Sequence, residues 1–290
     1  MKYTFLIFLL PILVFGGCRE DRLNGETGFA KVNGTTLYYE VAGSGEPLLL
    51  VHGNFGDCRH WDYNFGELAG KFMVIRYDVR GYGKSESSPK GFEYKDHADL
   101  KALLDYLGIK KAHVAGFSMG SGIVINFALE YPEMCKSLIP VGPWVCGYTP
   151  SSIQEFSRDF GQIPSIIEQG GIDAAAEQLI EFPLFKADVS SDEVKAFITS
   201  VAKNYSFLHW TGEGPARIEP DAVNMLDRIK APTLIVTSEY DINACLEIAG
   251  LLDEKIENST VVSIPEATHF MMMDKPQEFN DALVNFILSQ

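Results

Sequence analysis

Apolar and polar positions alternate unevenly along this chain, and the changes of rhythm outline its elements. Residues 28–33 and 37–42 read as two strands joined by Asn33-Gly34, a dipeptide that favours a tight hairpin turn. A loop, Gly43-Ser44-Gly45-Glu46-Pro47, leads into Leu48-Leu49-Leu50-Val51. That unbroken apolar run is the pattern of a central strand covered on both faces. Phe72-Met73-Val74-Ile75, His113-Val114-Ala115 and Ser137-Leu138-Ile139-Pro140-Val141 repeat it, as do residues 232–236 and 260–264. Helical spacing falls between these runs. Residues 61–69 read as one helix, and residues 94–107 place Ala98, Leu100, Leu103, Leu104 and Leu107 on one face of another. Gly122 to Leu129 reads as a third. Apolar strands alternating with helices predict an α/β fold, with a mostly parallel sheet and helices on both faces.

The alternation stops at Gly142-Pro143-Trp144. Residues 148–222 carry no strand signal, only helical segments at 172–182 and 191–205, separated by loops containing Pro164, Pro183 and Pro215. The spacing predicts a helical cap over 148–222, inserted into a core made of 28–147 and 223–290. No internal repeat or low-complexity tract interrupts this plan.

The N-terminus follows a different rule. After Lys2, residues 3–15 are apolar apart from Thr4 and Pro11, and Gly16-Gly17-Cys18 precedes the charged Arg19-Glu20-Asp21-Arg22. The run is too short to span a bilayer, and its small-residue exit predicts a signal peptide over 1–17 and a tether over 18–27. Val14-Phe15-Gly16-Gly17-Cys18 resembles a bacterial lipobox, with phenylalanine where leucine is usual. The resemblance implies cleavage before Cys18, lipidation of Cys18, and an exported chain anchored to a membrane. Each acyl chain would add about 0.8 kcal/mol per buried CH₂. Plain secretion, or a periplasmic location, is the alternative.

Composition narrows the partners. A chain of 290 residues can bury one sizeable core with an inserted subdomain, and 46% apolar with 22% charged residues describes an ordinary globular protein. The formal charge of −15 argues against nucleic acid, whose phosphates require a basic face. Beyond the N-terminal segment the cysteines are Cys58, Cys135, Cys146 and Cys245, irregularly spaced and without a zinc-like His/Cys cluster. We expect buried thiols and neither metal nor cofactor.

The candidate chemistry centres on Gly116-Phe117-Ser118-Met119-Gly120, a G-x-S-x-G between a strand and a helix. Glycines at both flanks let strand and helix approach closely, so that Ser118 is pushed out of the sheet beside the N–H groups of the helix N-terminus. A nucleophilic serine needs a base, an acid that orients the base, and donors for the developing oxyanion. Of six histidines, His52 belongs to a glycine loop, His60 and His97 lie in or near surface helices, His113 begins the strand before Ser118, and His209 is in the insertion. His269 follows the last strand directly, where its loop opens at the same sheet edge as Ser118, and it is the candidate base. The loop after the 233–236 strand offers two carboxylates, Glu239 and Asp241. Asp241 lies deeper in the loop and is the candidate acid, with Glu239 the alternative. Backbone N–H groups of Met119 and Asn54 are the candidate oxyanion donors.

Five separated matches now stand in order: His52-Gly53, Asp78-x-Arg80-Gly81-x-Gly83-x-Ser85, the G-x-S-x-G, Glu239-x-Asp241, and His269-Phe270 with Pro276 and Phe279. Over almost all of residues 28–290 the chain resembles an α/β-hydrolase-fold serine hydrolase. The resemblance implies an eight-stranded sheet, Ser118 as nucleophile, His269 as base and then acid, Asp241 as orienter, and no cofactor. Asp78 to Ser85 would be structural. His52-Gly53-Asn54 also resembles the halide-holding loop of haloalkane dehalogenases, but those enzymes and the related epoxide hydrolases require aspartate where Ser118 stands. The His-Gly-Gly-Pro-Gly of proline iminopeptidases is absent. A carboxylesterase acting on a small or medium hydrophobic ester is the leading expectation. A lactonase, a C–C bond hydrolase and a cofactor-free perhydrolase are alternatives on the same triad, and a lipid-anchored ligand receptor is the non-enzymatic one. Phe55, Trp144, Phe182, Trp210 and Phe270 are the candidate pocket residues. Phe185, Phe207 and Met271-Met272-Met273 are further apolar candidates.

Overall fold

Asn33 and Gly34 both take positive φ, 45° and 73°, as the two central residues of a type I′ turn must. They join β1 (Glu26–Val32) to β2 (Thr35–Gly43) as an antiparallel hairpin. The computed structural model describes residues 25–185, 188–211, 216–217 and 221–290. The expected signal peptide, Cys18 and most of the tether lie outside the described residues. β1 itself begins at Glu26, inside the stretch expected as tether.

After the hairpin come β3 (Pro47–Val51), α1 (Asp62–Ala69), β4 (Met73–Tyr77), the two-residue β5 (Glu93–Tyr94), α2 (Asp96–Tyr106), β6 (Ala112–Phe117), α3 (Met119–Glu130) and β7 (Cys135–Val141). The inserted segment holds α4 (Ile153–Phe160), α5 (Ile163–Leu179), α6 (Asp192–Ala202) and the two-residue β8 (Ala216–Arg217). The chain closes with β9 (Thr233–Tyr240), α7 (Asn243–Lys255), β10 (Ser259–Thr268), α8 (Met271–Asp274) and α9 (Pro276–Leu288). Eight strands form one sheet in the order β1-β2-β4-β3-β6-β7-β9-β10. β2 alone runs against the rest of the sheet, antiparallel to both β1 and β4; the pairs from β4 through β10 in that order are parallel. Helices cover both faces, with α1 packed on α9 and α2 on α3. The central strands carry apolar side chains on both sides for that reason, and every residue of β6 is buried.

Register decides where the site falls. Val51 of β3 lies opposite Gly116 of β6, Phe117 opposite Val141 of β7, and Val141 opposite Val236 of β9. The carboxyl ends of these strands are therefore nearly level, and the loops that follow them open side by side. A bulge in β10 between Ile264 and Thr268, with Glu266 at a φ of 48°, brings the last loop to the same edge.

The 78–85 loop is a buried polar brace. Asp78 accepts N–H groups from Cys58 and Lys84, both at 2.8 Å, while the Ser85 hydroxyl donates to the Asp78 carbonyl. Arg80 is fully buried, gripping Asp99 through Nε and Nη2 at 2.7 and 2.8 Å and donating to the Asn33 carbonyl. Such a desolvated guanidinium is tolerable only with its donors taken.

Gly171, at φ 81° and ψ −177°, is not helical, so α5 is two helical stretches that meet at a kink, and the second starts where the 172–182 pattern places it. The inserted segment departs from its sequence pattern at β8, which pairs with β5 in a two-residue parallel bridge where no strand was expected. Phe55, in the loop after β3, is the seat of the insertion. It stacks on Phe160 and Trp210, with centroids 5.1 and 5.7 Å apart, and meets Phe185 and Tyr205 edge-on.

Candidate active site

Ser118 sits between β6 and α3 with φ 53° and ψ −114°, a conformation costly for a residue with a side chain. The close approach that imposes it is visible in the flanking glycines. A Cβ on Gly116 would fall 2.1 Å from the Gly120 carbonyl oxygen, and one on Gly120 would fall 2.5 Å from that of Val51. The turn is pinned by two further bonds: Ser118 N–H donates to Val141 O at 2.8 Å, and the Ser121 hydroxyl donates to Ser118 O at 2.6 Å.

His269 and Asp241 meet across the same edge. The imidazole Nδ1 lies 2.6 Å from Asp241 Oδ1, and both side chains are buried. A carboxylate only accepts, so Nδ1 carries the proton and Nε2 is left as a base. The Ile242 N–H fixes Oδ1 at 2.8 Å, while Oδ2 is buried without a hydrogen-bond partner among the described residues. Glu239 is exposed instead, and its carboxylate accepts the Glu266 N–H at 2.9 Å. The histidine loop is clamped from behind, where Asp274 Oδ2 accepts both the N–H and the hydroxyl of Thr268. Phe117 packs on the imidazole at 4.8 Å.

Two cavities meet at Ser118. The larger, about 220 Å³, includes Asn54, Met119, Trp144 and Trp210 in its wall. The smaller, about 40 Å³, is bounded by Phe55, Phe185, His269 and Phe270 among others. Phe182 lines neither: its ring turns against Phe160, 5.2 Å away, and Phe185 takes the place expected for it. Met271, Met272 and Met273 are buried in the core of α8 and also line neither. Asn54 is held by the Tyr82 hydroxyl, which donates to Oδ1 at 2.9 Å, and its Oδ1 also accepts the Phe55 N–H. Tyr82, within the brace loop, thus fixes the Asn54 side chain, a contact that its motif gave no means of recognising.

The remaining histidines correct the sequence reading. His60 and His97 are buried, not superficial; burial pushes their pKa values down to about 3 and about 4. His52 accepts the Val79 N–H through Nε2 and bonds the Gly53 carbonyl through Nδ1, so it is a structural tie. Asp241, Cys245 and His269 offer ligand atoms within 4.8 Å of one another, as do Asp57, Cys58 and Asp78. Burial and the adjacent Asp241 raise the Cys245 thiol well above its usual range. Burial likewise raises Cys58, and Asp57 is already gripped by Arg59.

A level row of parallel strands, a strained serine at the central one and a buried histidine–aspartate pair beside it define an α/β-hydrolase fold, and hydrolases are among its relatives. The family profile described as alpha/beta hydrolase fold matches residues 46–170. The chain is 27% identical over 259 residues to the AB hydrolase superfamily protein YisY of Bacillus subtilis, spanning 87% of this chain and 95% of that one. It superposes on a bromoperoxidase from Bacillus anthracis with a TM-score of 0.74 and 28% identity, covering 91% of this chain and 100% of the other. A thermophilic esterase from Thermogutta terrifontis, solved with malate, gives a TM-score of 0.72 at 25% identity, covering 91% and 98%.

Proposed function

We propose that this protein is a serine carboxylic ester hydrolase working through an acyl-enzyme on Ser118. The observation that carries the reading is the 2.6 Å contact between buried His269 and Asp241 in a crevice that Ser118 shares. In the first half-reaction Ser118 Oγ attacks the ester carbonyl carbon and its proton passes to His269 Nε2. The oxyanion is received by the N–H groups of Asn54 and Met119, and Asp241 supports the imidazolium. The carbon–oxygen bond to the leaving alcohol then breaks, and His269 returns the proton to that oxygen. Water, activated by the same imidazole, releases the acid and restores Ser118.

The decisive assay uses short- and medium-chain p-nitrophenyl esters. Turnover should be saturable and should fall to background in Ser118→Ala, a loss of about 10⁴-fold or more. Folded protein that turns over none of these esters would overturn the esterase reading. The likeness to a bromoperoxidase favours the perhydrolase alternative, which the same triad would serve with hydrogen peroxide replacing water. We also propose that Cys18 is lipidated and holds the protein at a membrane, on the strength of the lipobox-like Val14-Phe15-Gly16-Gly17-Cys18. Cys18→Ser should move the expressed protein from the membrane fraction to the wash; an unchanged distribution would refute the anchor. No helix among the described residues is long and apolar enough to cross a membrane.

A further inference from the structure

The larger cavity runs along one face of α3. Met119, Gly122, Ile123 and Asn126 line it, at the i, i+3, i+4, i+7 spacing of a single helical face. Eight positions separate Ser118 from Asn126, or about 12 Å along the axis. The near wall is apolar, formed by Ile123, Trp144 and Trp210. The far end is not. His97 lies there, its ring 6.4 Å from that of Tyr131 at the end of α3, and Asn126 faces the same cavity. Both side chains are more than nine-tenths buried. His97 Nε2 and Asn126 Oδ1 have no hydrogen-bond partner among the described residues. Buried polar atoms of native proteins are ordinarily paired, so two orphans in one cavity wall call for an occupant.

The cavities also differ in which half of an ester they suit. The leaving alcohol must receive its proton from His269, and His269 borders only the smaller crevice. The acyl chain is left with the larger cavity, where the oxyanion residues Asn54 and Met119 stand. We propose, on the basis of the serine-hydrolase reading, that the acyl chain is six to ten atoms long in order of magnitude and ends in an uncharged hydroxyl or similar hydrogen-bonding group. Such a hydroxyl donates to Asn126 Oδ1 and accepts from His97 Nε2–H, satisfying both. The Asp96 carboxylate, in the same wall, disfavours an acyl chain that ends in a carboxylate. Burial holds His97 neutral above pH values of about 4, which suits it to an uncharged partner.

The test compares p-nitrophenyl esters of 6-hydroxyhexanoate, 8-hydroxyoctanoate and 10-hydroxydecanoate with alkanoates of equal heavy-atom number. Wild type should favour at least one hydroxyl ester in kcat/KM by about tenfold or more. Asn126→Leu and His97→Phe, made separately, should each shrink or reverse that ratio; because it is a ratio within one preparation, partial misfolding cancels. Alkanoates preferred by wild type, or a ratio untouched by both variants, would overturn the proposal while leaving the esterase reading intact. If no ester is turned over, the esterase reading fails and binding decides. Methyl 8-hydroxyoctanoate and methyl nonanoate would be titrated against Ser118→Ala by the fluorescence of Trp144 and Trp210. Tighter binding of the hydroxyl compound supports the polar end, and equal binding overturns it.

Discussion

At the scale of single residues, the division of labour around His269 is set by what each neighbour can accept. Asp241 Oδ1 is committed to Nδ1 and to the Ile242 N–H, whereas Oδ2 is buried and unpartnered. The orientation of the imidazole thus rests on Oδ1 alone. Asp241→Asn would preserve the shape, and its oxygen, held by the Ile242 N–H, could still accept from Nδ1, but the charge that supports the imidazolium would be gone. We expect kcat to drop about 10³- to 10⁴-fold with KM little changed, measured on the best p-nitrophenyl ester. Glu239→Gln, on the exposed side, should cost less than about threefold; parity of the two variants would remove Asp241 from the role. Glu239-Tyr240-Asp241 offers two carboxylates, and it is the one deeper in the loop, Asp241, that meets the histidine. The strand extends to Tyr240, so Glu239 faces outward and the first residue beyond the strand turns in.

At the scale of elements, long apolar runs were the legible part. The strands at Leu48, Phe72, His113, Ser137, Thr233 and Thr260 stand in the sheet within a few residues of their expected limits, because burial on both faces leaves an unbroken signature. Short-range geometry left none. The β5–β8 bridge is two residues long, too short for any periodicity, and the single turn of 3₁₀ helix at Pro183–Phe185 presents Phe185, not Phe182, to the crevice. His97 has the spacing of an ordinary helix residue, and it is tertiary packing, with α2 set against α3, that buries it. Glycines divide in the same way. Gly116→Ala drives a methyl group into backbone 2.1 Å away, so it should abolish activity and lower Tm by at least about 8 °C. Gly171→Ala, at φ 81° and ψ −177° with nothing within 4 Å, meets only the backbone preference, about 1–3 kcal/mol. Differential scanning calorimetry of the two variants checks the contrast, and equal Tm losses would contradict it.

At the scale of the whole molecule, buried histidines set the acid limit. An unfolded histidine titrates near 6.5, whereas His60 and His97 titrate at about 3 and about 4 because burial disfavours their charged forms. Between those values the unfolded chain binds protons that the folded chain refuses. Their contribution is therefore complete above about pH 6.5 and is lost as pH falls toward 4, by up to about 1.4 kcal/mol per pH unit for each group. Urea denaturation midpoints should decline between pH 7 and pH 5, less steeply in His97→Phe; a flat profile in wild type would refute this account. The same closed interior governs sulfur. Cys58, Cys135, Cys146 and Cys245 are all buried and none is in a disulfide. Burial raises the Cys135 thiol to about 12 and lifts Cys58 and Cys245 as well. A protein with that arrangement can travel through an oxidising compartment without scrambling, and each sulfur becomes a timer. Its rate of alkylation measures how often its own part of the molecule opens: the loop after β3, the start of β7, the cavity wall and α7.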